Sequence, residues 1–97
     1  MLKISIVEGR DQRRLVLEGK LIAPWAAELR PAYQEAAAGL DGRELVVEVK
    51  DVTAINQAGE NVLLELIKQG VKFRSYGVFT THILKQIARR INRKPGE

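Results

Sequence analysis

Catalysis needs groups that converge, and this sequence supplies few side chains that could do so. His82 is the single histidine and there is no cysteine. Disulfides and thiolate metal sites are therefore excluded, and a zinc site would have to rest on carboxylates alone. His82 follows Thr80 and Thr81 in the first turn of an expected helix, where it reads as a surface or capping residue and not as a general base. Glu44 and Glu48 recur within an apolar run. In a strand they share a face but stand well apart, as solvated or ion-paired groups and not as an acid–base dyad. No GxGxxG and no Walker-type lysine loop occurs, and no nucleophile has a base beside it. The expectation is a chain that is not an enzyme, with no catalytic residue, no metal and no cofactor.

The informative segment is Val52-Thr53-Ala54-Ile55-Asn56-Gln57-Ala58-Gly59-Glu60-Asn61-Val62-Leu63. A strand that empties into a helix leaves backbone N–H groups unpaired at the carboxyl edge of a sheet. Asn56 suits the N-cap, Glu60 suits the positive end of the helix dipole, and Gly59 lets another backbone come close. Such an end attracts an anion or the polar groups of a partner. Equally, Asn56 serves as a cap alone and Gly59 as a packing requirement alone. The residues by themselves leave both readings open.

The elements that must position this junction follow from periodicity. Leu2, Ile4 and Ile6 alternate with Lys3 and Ser5, which gives a half-buried strand. Across the polar turn Glu8–Gln12 lies a second short strand, Leu15-Val16-Leu17, closed by Gly19; so short a link makes an antiparallel hairpin at a sheet edge. Pro24 opens a helix with the stripe Trp25, Leu29, Ala32, Ala36, which Gly39 ends and Pro31 should bend or break. Leu45-Val46-Val47-Glu48-Val49 is nearly continuous in apolar residues, as a central parallel strand would be. A second helix begins at Asn56 and stops at Gly70, Val71–Tyr76 forms a last strand, and Thr80 or Thr81 caps a third helix with Ile83, Leu84, Ile87, Ala88 and Ile91 on its apolar side. The order β-β-α-β-α-β-α implies an α/β fold, a small mixed four-stranded sheet with the helices mainly on one face. One domain spans 1–93, and 94–97 is expected as a flexible tail.

With 97 residues, 45% hydrophobic and 29% charged, the chain suits one compact core and gives no sign of disorder over that span. The net charge of +4 is unevenly placed. Charges balance through Phe79, and the excess lies in Lys85, Arg89, Arg90, Arg93 and Lys94 against Glu97. A basic helix end is favoured by the helix dipole, and no aromatic residue interleaves with these arginines to stack on bases. No specific nucleic-acid partner is expected. Nothing resembles a signal peptide or a membrane span, so the expectation is a cytoplasmic protein without membrane insertion.

Leu15–Leu21, the helix through Glu28-Leu29-Arg30, Leu45–Val49, Val52–Gly59, Leu63-Leu64 and Gly70–Phe73 together resemble a STAS domain, the module of anti-sigma factor antagonists and sulfate-transporter tails. The resemblance runs from about Leu2 to Ile91. It implies a protein-docking module in bacterial partner switching and transcription regulation, whose partner is an anti-sigma factor with serine-kinase activity or another STAS protein. In the antagonists the junction reads Asp-Ser-Ser/Thr-Gly, and its second hydroxyl residue accepts phosphate. Here those positions are Asn56, Gln57, Ala58 and Gly59, so only the glycine matches and Ala58 has no hydroxyl to phosphorylate. The Asp often found soon after the second strand is replaced by Ile22. Thr53 precedes the junction and reads as a strand-end residue. The resemblance therefore implies the docking half of the switch, on Asn56, Gln57, Ala58, Gly59, Glu60 and Asn61, without the phosphate that would add negative charge and release the partner. A ligand-sensing STAS-like domain and an accessory subunit of a transporter complex are the alternatives. Leu2–Val7 is an edge guarded by Lys3 alone, which leaves a homodimer open.

Overall fold

The computed structural model describes residues 1–92, with side chains through Arg90; residues 93–97, and with them the expected tail at 94–97 and the basic Arg93 and Lys94, lie outside the described residues. The chain forms β1 (Leu2–Glu8), β2 (Gln12–Leu21), a 3-10 turn (Trp25–Glu28), α1 (Leu29–Ala37), β3 (Glu44–Ile55), α2 (Gln57–Lys68), β4 (Lys72–Ser75) and α3 (Val78–Asn92). The sheet order is β1-β2-β3-β4. β1 pairs antiparallel with β2, and β2, β3 and β4 run parallel. The expected order and mixed sheet are thus observed.

Alternation along the strands sends Leu15 and Leu17 of β2 and Val47 and Val49 of β3 to one face. There they join Leu29 and Ala36 of α1, Val62, Leu63 and Leu66 of α2 and Ile87 of α3 in one buried cluster. Removing this apolar surface from water is the main force that holds the helices on that face. The opposite face is a polar mesh. Arg14 and Val16 stand in register with Val46 and Glu48, and these with Lys72 and Arg74. Glu48 is only 4% exposed. Arg14 Nη1 reaches both its carboxylate oxygens at 3.3 Å, Tyr76 Oη donates to it at 3.2 Å, and Arg74 lies 3.8 Å away. A buried carboxylate persists only when its oxygens are satisfied in this way.

Three boundaries differ from the sequence reading. Gly19 does not close the second strand: it adopts φ 104° between two register shifts, and β2 continues to Leu21. This is a bulge, and a Cβ there would collide with the Met1 carbonyl. The helix expected from Trp25 is divided, with a 3-10 turn before α1. Pro31 consequently falls in the first turn of α1, where its missing N–H has no intrahelical acceptor to lose. Finally, α3 starts at Val78, ahead of both threonines, because Gly77 at φ 86° turns the chain sharply out of β4. Neither threonine caps. Thr80 Oγ1 donates to the Tyr76 carbonyl at 2.5 Å, and the hydroxyls of Ser75 and Thr81 meet at 2.9 Å.

The end of α1 is closed by a side chain from the sheet. Arg13 donates to the Ala36 and Ala38 carbonyls at 2.8 and 2.7 Å, while its Nε holds Glu8 at 2.7 Å. Orphan carbonyls at a helix end need such partners. Arg13→Ala should lower stability by about 1.5–3 kcal/mol in urea unfolding, since the hydrogen bonds lost come from a charged donor. Arg13→Lys should recover less than half, because an ammonium cannot span the same acceptors as a planar fork.

Candidate functional site

The junction between β3 and α2 forms as the sequence implies. Asn56 leaves the strand in an extended conformation (φ −105°, ψ −173°) and its Oδ1 accepts from the Gly59 N–H at 3.2 Å. Its own N–H donates to the Leu21 carbonyl at 3.4 Å, so the end of β2 steadies the cap. One N–H of the first turn is thereby satisfied.

The six residues singled out in sequence do not share one environment. Asn56, Gln57 and Asn61 are exposed, and Gln57 Nε2 donates to Asn61 Oδ1 at 2.9 Å across one turn. Ala58 is half-buried and packs on the core. Glu60 is half-buried and ion-paired at 3.0 Å with Arg90 of α3, so part of the basic end of α3 is used within the fold. Gly59 is buried. A Cβ on it would strike the Leu21 carbonyl oxygen and lie 3.0 Å from Leu21 Cγ and 3.1 Å from Ile55 Cγ2. The backbone that comes close to Gly59 is thus the chain's own. The surface offered outward is neutral and amide-rich, carried by three side chains. Thr53 is exposed and its hydroxyl donates to the Gly19 carbonyl at 3.4 Å, at the bulge of β2.

On its flank α2 is braced by a two-point ion pair, Arg30 Nε and Nη2 to Glu65 at 2.7 and 2.8 Å. These hydrogen bonds, with the attraction of the guanidinium, hold the Glu65 carboxyl below its ordinary value of 4.5. Because the group is more acidic in the fold than in the unfolded chain, the pair adds stability above pH 4.5 that is lost as pH falls through the lowered value. In Arg30→Ala the Glu65 carboxyl should titrate nearer 4.5, read from its side-chain carbon shifts.

One surface feature was not anticipated. Tyr76, Val78 and Phe79 are 49%, 88% and 48% exposed at the turn from β4 into α3. With Lys50–Thr53 of β3 they line a groove of about 340 Å³. A second groove of about 510 Å³ lies along α3 beside Val78, His82 and Lys85. The available signal was the apolar run Tyr76-Gly77-Val78-Phe79, whose members fall off the stripe that α3 buries. His82 is exposed on α3. Among the described residues no group of three or more His, Cys, Asp or Glu side chains could hold a metal, and no helix is long and apolar enough to cross a membrane.

No family model matches the chain, and no curated protein matches it. Among solved structures it is similar to an uncharacterized protein from Shewanella loihica, of the DUF3478 family and with a SpoIIAA-like fold. The TM-score is 0.54 and the identity 20%, over 99% of this chain and 82% of that one. The fold is SpoIIAA-like. This is the STAS architecture that the sequence resembles. In this fold Asn56–Asn61 opens the helix that follows the long central strand β3.

Proposed function

We propose that this chain is a non-catalytic docking module of the STAS type, an adaptor in partner-switching regulation in the bacterial cytoplasm, which binds its protein partner without a phosphate switch. The observation that carries the reading is the neutral helix end: Asn56, Gln57 and Asn61 face outward, while Ala58, which the resemblance places at the acceptor position, has no hydroxyl. A phosphate would bring nearly two negative charges to that end and change what docks there. With no hydroxyl at residue 58 the surface keeps one charge state, which suits constant binding to an anti-sigma-type kinase or to another STAS protein.

Two measurements test the reading. Incubation with anti-sigma-type serine kinases and labelled ATP should leave residues 56–59 unlabelled, whereas Ala58→Ser should accept phosphate. Affinity capture with mass spectrometry should recover a specific protein whose yield falls about tenfold, a loss of roughly 1.4 kcal/mol, with Gln57→Glu and Asn61→Asp together. Phosphate on the native junction, or a partner indifferent to both substitutions, would overturn it.

A further inference from the structure

The sheet has an open edge within its span, alongside the second half of β3. Val49 is the last residue of β3 with a partner in β4, yet β3 runs on to Ile55. Along Lys50–Ile55 it is paired only on the β2 side among the described residues. An unpaired strand edge offers a row of N–H and C=O groups to any extended chain, and proteins usually blunt such edges with charge, shortness or cover. β4 is short and carries Lys72 and Arg74, and β1 carries Lys3 and Glu8 besides the exposed Ile6 and Val7. The lane beyond Ser75 differs in having a groove beside it, with Tyr76, Val78 and Phe79 exposed at its mouth and Lys50–Thr53 along its other wall.

We infer that this lane is a seat for an extended segment of a protein partner, apolar in its middle and acidic at its ends, which adds to the sheet as a strand alongside β3. Backbone pairing supplies affinity, and alternate apolar side chains fall on Val78 and Phe79, the division of labour usual in strand addition. The charge of the rim selects the ends. Lys50 and Lys85 flank the apolar residues without an ion-pair partner among the described residues, and Asp51 is the only acid lining either groove beside Val78. Acidic flanks complement that excess. The seat is separate from Asn56, Gln57 and Asn61, so it does not depend on their role.

The test uses the full chain, isotope-labelled for NMR, and a capped synthetic peptide of alternating valine and threonine between glutamate pairs. Peptide addition should shift the amides of residues 50–55 and slow their hydrogen exchange. Affinity should fall about tenfold or more with Val78→Asp and Phe79→Asp together, and comparably with Lys50→Glu and Lys85→Glu. Proline in the peptide's centre or lysine at its ends should weaken binding as much, while Gln57→Glu should leave it unchanged. Val78 is so exposed that its substitution leaves folding intact, checked by the unchanged amide spectrum of the core. Silence of residues 50–55 at millimolar peptide would overturn the inference, as would equal binding of the proline peptide. A dimer that Val78→Asp converts to monomer would also overturn it, because the lane would then belong to a second copy.

Discussion

Gly59→Ala is expected to destabilise the protein by roughly 3 kcal/mol, although alanine is the better helix former by about 1 kcal/mol. The sign separates two accounts of this glycine. If it were present only for a flexible helix start, alanine would stabilise α2. The geometry gives the reverse, because the added methyl meets the Leu21 carbonyl, a backbone atom that cannot rotate away, with Leu21 Cγ and Ile55 Cγ2 behind it at 3.0 and 3.1 Å. Relief requires α2 to move off the end of β2, which strains both the cap at Asn56 and the contacts of Val62 and Leu63. For a domain of this size a loss of that order lowers the melting temperature by about 12–24 °C. A melting temperature equal to or above that of the native protein would show that the close approach does not govern this position.

Leu21→Ala should be about as damaging, roughly 2–5 kcal/mol, through the opposite fault. Leu21 is wholly buried where β2 ends against β3 and α2, and truncation leaves a cavity under the junction. The two changes should not cancel when combined. Shortening Leu21 removes the Cγ contact, but its carbonyl remains in place against residue 59. A double-mutant cycle measured by denaturant unfolding should therefore show little rescue of Gly59→Ala by Leu21→Ala. Near-complete rescue would locate the conflict in the side chain instead.

How far the sequence foretold the structure depends on how local each cause is. The parallel core was legible because Val46, Val47 and Val49 state their burial directly, and the Asn56 cap was legible because an N-cap bonds three residues along. Gly19 was misread because a glycine after an apolar run signals a stop and a bulge equally well. What decides between them is the Met1 carbonyl brought alongside by β1. Thr80 and Thr81 look like caps, but Gly77 had already turned the chain, and Thr80 donates backward instead of accepting. Within the candidate site the cap and the glycine were visible, whereas the Arg90–Glu60 pair and the groove beside Val78 depend on where α3 and β3 lie in space. Glu48 was expected to be solvated or ion-paired. It is ion-paired and also buried, since arginines on β2 and β4 close over it from both sides.

The clasps on α2 carry a mechanical consequence. Arg30 grips it from α1 at Glu65 and Arg90 from α3 at Glu60, while Leu21 wedges its first turn. Struts on two flanks and a stop at one end make this helix a pier and not a hinge. A visiting protein would find Asn56, Gln57 and Asn61 already standing in their final arrangement, so little freedom remains to be surrendered on contact. Differences among visitors should then lie in how long each stays and not in how fast each arrives.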